Sequence, residues 1–180
     1  MKRALWAISS FLLLCCAFGC QSQMREETPA AVSETMAQAI AQKYVDARNT
    51  ASLALLDEIY DSGVVVHDCS APEDFVGLDA LKAFYSNTHE GFPDLHFTID
   101  ETMVDGDKII FVWTLSGTQS GVFRTPLGDI PPTGNKVKFS GVAINRLVEG
   151  KVVEEWVYFN VLEALLQLGF SFVPPQPALH

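Results

Sequence analysis

The chain has 180 residues, of which 48% are hydrophobic and 19% charged, and its formal net charge is −10 at pH 7. This length and apolar content suit one globular domain with its own core and exclude a mainly disordered chain. The acidic excess, with no basic stripe to offset it, repels phosphate backbones and argues against nucleic acid as a partner.

The first twenty residues read as a secretory signal. A basic start precedes an apolar run over residues 4–18, which is too short to span a bilayer, and a small residue then precedes Cys20. The ending AFGC resembles a bacterial lipobox, in which Cys20 is diacylated, although Ala17 and Phe18 depart from the usual residues. We therefore predict an exported protein, anchored at the bacterial cell envelope by lipid on Cys20. The alternatives are an ordinary signal peptide or an uncleaved anchor.

Removal of this signal would change both the charge and the cysteine content. Ten Lys and Arg would remain against 22 Asp and Glu, a net charge of −12. With lipid on Cys20, only Cys69 would stay free, so no intrachain disulfide is available. We expect Cys69 to be a buried structural thiol, because no cluster of His or Cys accompanies it as in a catalytic or metal site.

The helical patterns come before the long strands. Residues 21–32 are polar and predict a linker, 33–170 form the domain, and 171–180 form a tail. Ser33 is a suitable N-cap for an amphipathic helix whose apolar face includes Ala37 and Tyr44. The pattern then predicts a helix at 53–60, a buried strand at 64–67 and a helix at 78–85.

Two long hairpins follow the helices. Strands at 95–104 and 108–118 flank Asp105-Gly106, and strands at 136–148 and 151–159 flank Glu149-Gly150, both typical tight-turn pairs. A Pro- and Gly-rich crossover joins the hairpins, and Asn160 caps a last helix at 161–168. Helices followed by a strand meander predict an α+β fold, in which a curved antiparallel sheet wraps around the N-terminal helices as a cone.

The second hairpin supplies the candidate site. A two-residue turn at Glu149-Gly150 pairs Val148 with Lys151. Counting outward from the turn gives three further pairs, whose six side chains share one face of the sheet: Asn145 with Glu154, Ala143 with Trp156, and Gly141 with Tyr158. Small residues opposite large aromatic ones, with polar groups at one end, suit the wall of a ligand pocket. A register shift of one residue would exchange the two faces of the sheet.

On this register Glu154 lies inside the cone and Glu155 outside, near Arg146. Burial would raise the pKa of Glu154 and suit it to proton transfer, so Glu154 is the candidate catalytic residue. The alternative is a rim carboxylate that is solvated or paired. The predicted ligand-binding residues are Asn145, Trp156, Tyr158 and His67.

His67 ends a strand that should reach the mouth of the cone, where it could act as an acid/base or donate a hydrogen bond to the ligand. The alternative interpretation is a core or rim histidine that is bonded to the backbone. Asp94 and His96 are expected on the external face of the first hairpin. Trp113 falls on the same face by the Asp105-Gly106 register and would then help to form a subunit contact.

Several landmarks carry a family resemblance, in this order: Phe92-Pro93-Asp94, Gly106-Asp107, Gly117-Thr118, Pro132-Thr133-Gly134, Arg146, Gly150-Lys151, and Glu154 with Trp156. With them the chain resembles the SnoaL-like polyketide cyclase family of the nuclear transport factor 2-like superfamily, over residues 34–169. The resemblance implies a conical α+β domain, often a homodimer, whose hollow takes a small hydrophobic molecule. In the cyclases an acidic residue acts as general acid/base for aldol closure, without metal or cofactor.

The departures from the family pattern bear on catalysis. Val157 and Asn160 stand where members commonly carry Asp, and Gln119 and Val112 stand where they often have His and Arg. The first expectation is therefore an envelope protein that binds a small hydrophobic or amphipathic molecule, with no cofactor or metal. The alternatives are a cofactor-independent cyclase, isomerase or lyase with Glu154 as base, or a scaffold for a protein partner.

Overall fold

The computed structural model describes residues 31–125 and 128–173. The predicted signal, Cys20, most of the linker and the end of the tail lie outside these ranges. The described part contains four helices: α1 (Glu34–Thr50), α2 (Leu53–Ile59), α3 (Leu78–Gly91) and α4 (Val161–Gln167). None of them is long and apolar enough to cross a membrane.

The described ranges also contain eight strands: β1 (Tyr60–Asp68), β2 (Phe75–Val76), β3 (His96–Asp105), β4 (Lys108–Thr118), β5 (Phe123–Thr125), β6 (Gly128–Ile130), β7 (Lys136–Val148) and β8 (Lys151–Phe159). Six strands form a curved, unclosed sheet in the order β2-β1-β8-β7-β4-β3. All neighbours pair antiparallel except β1 and β8, which are parallel. The predicted α+β architecture is confirmed.

Local signals fix the helix ends. The Ser33 hydroxyl accepts a hydrogen bond from the backbone N–H of Met36 at 3.2 Å, and the Asn160 side chain accepts one from that of Glu163 at 3.1 Å. Both predicted N-caps are confirmed, because each satisfies an N–H that lacks a partner within the helix. The apolar face of α1 is buried through Ala37, Ile40, Ala41, Tyr44 and Ala47.

The second hairpin begins as predicted and then departs from the predicted register. Val148 pairs with Lys151, and Glu149 and Gly150 take the positive φ values of 51° and 78° that a tight turn requires. After one more regular pair, Leu147 with Val152, the strand leaves Val153 unpaired as a β-bulge. As a result Arg146 faces Glu154 and Asn145 faces Glu155. Because side chains alternate faces, one extra residue moves every later side chain of β8 to the other face. The predicted cross-strand pairs beyond the turn are therefore wrong.

A second bulge moves Trp113. The register of β3 against β4 shifts at Asp100, so Ile99 pairs with Trp113, and the indole is only 4% exposed. The expectation that Trp113 forms an outer subunit contact is wrong, for the same reason of alternation. Asp94 and His96 are exposed, as expected.

Two further features differ from the sequence prediction. The crossover contains a short hairpin of β5 and β6, which Gln119 fixes by donating to the backbone oxygens of residues 121 and 131 and accepting from Thr133. Cys69 is exposed, so the predicted buried thiol is wrong. It follows directly after β1, where the chain leaves the sheet.

Candidate functional site

The two adjacent carboxylates of β8 lie on opposite faces of the sheet. Glu155 points into the concave face, against the helices, and is only 1% exposed. Glu154 lies on the outer face, where it pairs with Arg146. The interior acid is therefore Glu155, and the predicted interior position of Glu154 is wrong because of the bulge at Val153.

Two phenols hold the carboxyl group of Glu155. The Tyr44 hydroxyl donates to Oε1 at 2.8 Å, and the Tyr60 hydroxyl donates to Oε2 at 2.8 Å. Burial, the largest influence, raises the pKa of Glu155, although the charge of Arg48 and the two hydrogen bonds act in the opposite direction. A carboxyl group with a raised pKa can exchange a proton near neutral pH.

Arg48 brings a positive charge to the same cluster. Its Nη2 donates to the Tyr44 hydroxyl at 3.4 Å, so Tyr44 lies between the guanidinium and Glu155. The Arg48 Cζ is 4.0 Å from the centre of the Tyr85 ring and 5.4 Å from that of Phe97, within the range of cation–π attraction. The structure thus couples a buried acid to a cation through a phenol.

Four buried polar atoms near this cluster have no hydrogen-bond partner in the described part of the chain. They are Arg48 Nε, the Tyr85 hydroxyl, His89 Nε2 and Asn145 Oδ1. Asn145 lies directly across from Glu155 on β7, and its Nδ2 donates to the Ile109 carbonyl at 3.3 Å. Because buried polar atoms are nearly always satisfied, such a group of unpartnered atoms marks a place where a ligand or water completes the bonding.

Aromatic side chains cover the rest of the concave face. Trp113 packs against Phe97, Phe139 and Phe159, with ring centres 5.6 to 6.1 Å apart. A Cβ on Gly141 would collide with the Trp113 indole, so the small residue makes room for Trp113 rather than for a ligand. Phe139 and Phe159 are only half-buried, and they form an apolar approach to the interior.

The other predicted site residues lie mostly on the outer face. His67 contacts Asp74 through Nδ1 at 2.9 Å and Glu154 through Nε2 at 3.2 Å, and its ring stacks on Trp156 at 5.4 Å. Tyr158 is 53% exposed. Of the predicted ligand-binding residues, Asn145 alone faces the interior with Glu155.

This outer cluster is built as a set of ion pairs. The hydrogen bond from Arg146 is the main reason why the pKa of Glu154 is lowered, and the hydrogen bond to Asp74 is the main reason why that of His67 is raised. A lowered pKa keeps Glu154 ionised at neutral pH and ill suited to general acid catalysis. No group of His, Cys, Asp or Glu within the described ranges is arranged to hold a metal ion.

Sequence reasoning missed most of the interior cluster: Glu155, Tyr44, Tyr60, Tyr85, Arg48 and His89. One signal was available, since Tyr44 and Tyr85 fall on the apolar faces of their helices, where a phenol carries a hydroxyl group into the core. Their convergence on Glu155 joins residues 111 positions apart, and no local pattern reports that.

Comparison with known proteins agrees with the fold. Residues 38–168 match the sequence profile described as SnoaL-like polyketide cyclase. TsrD from Streptomyces laurentii is 22% identical and superposes with a TM-score of 0.67 over 77% of this chain and 98% of its own. A candidate SnoaL-like polyketide cyclase from Jannaschia sp. CCS1 is 24% identical, with a TM-score of 0.66 over 85% and 99%.

AclR from Streptomyces galilaeus, a candidate hydroxylase, is 26% identical, with a TM-score of 0.65 over 81% of this chain and 87% of its own. No curated protein matches the chain.

Proposed function

The chain belongs to the SnoaL-like polyketide cyclase family, and we propose that it binds a small, largely apolar molecule on the concave side of its sheet and moves a proton on it through Glu155. The observation that carries this proposal is the buried Glu155 carboxyl group, held by Tyr44 and Tyr60 and close to buried polar atoms for which the described residues supply no partner. A scaffold needs no such group, because an unsatisfied polar atom in a core is destabilising.

The chemistry follows from the position of the carboxyl group. As a carboxylate, Glu155 accepts a proton that Tyr44 or Tyr60 relays from a carbon next to a carbonyl of the ligand. The C–H bond breaks, and its electron pair moves to the carbonyl oxygen as an enolate. In an isomerisation Glu155 returns the proton to a carbon. In an aldol closure the enolate carbon attacks a second carbonyl, and the alkoxide that forms takes up the proton from Glu155.

The test is exchange of α-hydrogens for deuterium in a panel of aryl ketones, followed by NMR in heavy water. We expect the wild type to accelerate exchange and Glu155→Gln to lose at least about a hundredfold of that rate. Glu154→Gln makes the same change on the neighbouring residue at the outer face and should retain the activity. Equal rates for wild type and Glu155→Gln would remove Glu155 from the proposed chemistry.

A second candidate function is binding without turnover. It is favoured by the fact that both oxygens of Glu155 already accept hydrogen bonds from phenols, so the carboxyl group also has a structural role in joining α1 and β1 to β8. Native mass spectrometry of protein purified from its own source tests it. A retained molecule that is released chemically unchanged, together with no exchange activity, would favour binding alone.

Export is a separate proposal that rests on residues 1–20 of the sequence. The basic start, the apolar run and the AFGC ending support a lipid anchor at Cys20. The folded domain would then be held at the envelope through the polar linker at 21–32.

A further inference from the structure

Arg48 is half-buried and makes no direct ion pair within the described ranges, although Glu155 lies across the Tyr44 hydroxyl from it. No carboxylate oxygen of the described residues lies within 4.0 Å of its guanidinium nitrogens. Its Nε is shielded from solvent and has no acceptor within the same ranges. Buried guanidinium N–H groups are normally bonded, because an unpaired charge in a core is strongly destabilising.

The position of Arg48 on its helix explains the positive charge but not the unpartnered Nε. Arg48 lies in the last turn of α1, where the helix dipole favours a cation. That interaction needs only the charge, and it leaves the N–H of Nε without an acceptor. The neighbouring Asn49 fixes this end of α1 to β3 by bonds of 2.7 and 3.0 Å with the Phe97 backbone. These bonds hold this end of α1 against β3, beside the Phe97 ring that the guanidinium contacts.

Two more polar side chains, both on α3, lie beside Arg48. The Tyr85 ring lies under the guanidinium, and the buried Tyr85 hydroxyl has the Tyr44 and Tyr60 hydroxyls as neighbours among the described residues. The His89 ring contacts the Arg48 backbone, and its Nε2 is buried without a partner in the same ranges. Burial first, and then the charge of Arg48, lower the pKa of His89. A neutral ring has one N–H, so with that N–H on the Arg48 backbone Nε2 is an acceptor and not a donor.

We propose that Arg48, with Tyr85 as a further donor, binds a carboxylate group of the ligand. This inference rests on the proposed function and specifies its substrate class: a small molecule with an aromatic or aliphatic body and one carboxylate. The planar fork of arginine matches the two oxygens of a carboxylate, and a negative charge there would pair directly with a guanidinium that reaches Glu155 only across the Tyr44 hydroxyl. The apolar body would lie along Phe97 and Trp113.

A matched pair of probes tests the charge requirement. Naphthalene-1-carboxylate and naphthalene-1-carboxamide have nearly the same shape and differ in charge. We expect the carboxylate to bind the full domain at least about tenfold more tightly, as expected for a hydrogen bond to a charged group. In ¹H–¹⁵N spectra the Arg48 Nε–H resonance should shift with the carboxylate only. Arg146 Nε, which already donates to Glu154 at 2.9 Å, should not move with either probe.

Variants separate the inference from the proposed function. Arg48→Gln should remove the preference for the carboxylate while the amide still binds, and Arg146→Gln should leave both affinities unchanged. If Arg48→Gln fails to fold, Tyr85→Phe is the second variant: it keeps the ring under Arg48, removes a hydroxyl that neighbours those of Tyr44 and Tyr60, and should weaken carboxylate binding several-fold. Equal binding of the two probes to the wild type would overturn the inference and leave the proposed function standing. Binding of neither probe would overturn both.

Discussion

Replacing Glu155 with Gln should remove a pH dependence of stability that Glu154 does not produce. Burial, the largest cause, raises the pKa of Glu155 in the folded protein. The folded state therefore keeps this proton at pH values at which the unfolded chain has lost it. The contribution of Glu155 to the free energy of unfolding is fully present below the unfolded pKa, at about 4.3, and is lost as the pH rises through the folded pKa.

The magnitude follows from the number of protons involved. One carboxyl group changes the free energy of unfolding by at most about 1.4 kcal/mol per pH unit. Between the unfolded and folded pKa values, the stability difference between wild type and Glu155→Gln should therefore fall with up to this slope. His67, whose pKa is raised mainly by its hydrogen bond to Asp74, adds a slope of the same sign. It does so equally in both proteins and cancels in the difference.

The assay is urea unfolding at a series of pH values from about 5 to about 8. Glu154→Gln is the control on the neighbouring residue, because the hydrogen bond from Arg146 lowers the pKa of Glu154. The contribution of Glu154 itself is present above the unfolded pKa and is lost as the pH falls through the folded pKa, a slope of opposite sign below about pH 4.3. Glu154 also helps to raise the pKa of His67, so between about pH 5 and 8 this variant should only reduce the slope that His67 contributes. If the difference in free energy of unfolding between the wild type and Glu155→Gln stays constant across the pH series, the raised pKa of Glu155 is refuted.

Three other changes test the packing, a helix cap and the anchor. Gly141→Ala should destabilise the fold by more than about 2 kcal/mol, because its Cβ would collide with Trp113. Denaturation midpoints equal to those of Gly63→Ala, where the nearest atom is 3.4 Å away, would contradict this. Asn160→Ala should lower the free energy of unfolding by about 1 kcal/mol through loss of the cap, and unchanged stability would show that the cap is dispensable. Cys20→Ser should abolish incorporation of a labelled fatty acid in cells; a labelled variant would disprove acylation there.

Features that depend on a few neighbouring residues could be predicted from the sequence. Ser33 and Asn160 start their helices because a side-chain oxygen three residues ahead of an N–H is a local arrangement. The Glu149-Gly150 turn and the Val148–Lys151 pair follow from the φ values that such a turn demands. The α+β class follows from the order of the helical and alternating patterns.

The assignment of residues to the two faces of the sheet could not be predicted in this way. Alternation has a period of two, so the single extra residue at Val153 exchanges Glu154 and Glu155, and the one at Asp100 turns Trp113 inward. Both bulges lie inside hairpins of consecutive strands, but β8 also pairs in parallel with β1, which is distant in the chain, and the register of that pair shifts between Tyr60 and Val65.

The sequence alone thus determined the four helices, the five long strands, their order and the presence of an acid on the last strand. The tertiary structure decided which acid is buried and which residues surround it. Tyr44 and Tyr60 reach Glu155 across 111 and 95 positions of the chain, and only packing of the helices against the sheet brings them together. The raised pKa of Glu155 depends chiefly on that burial, because desolvation arises from all the neighbours together and is not encoded in any one segment.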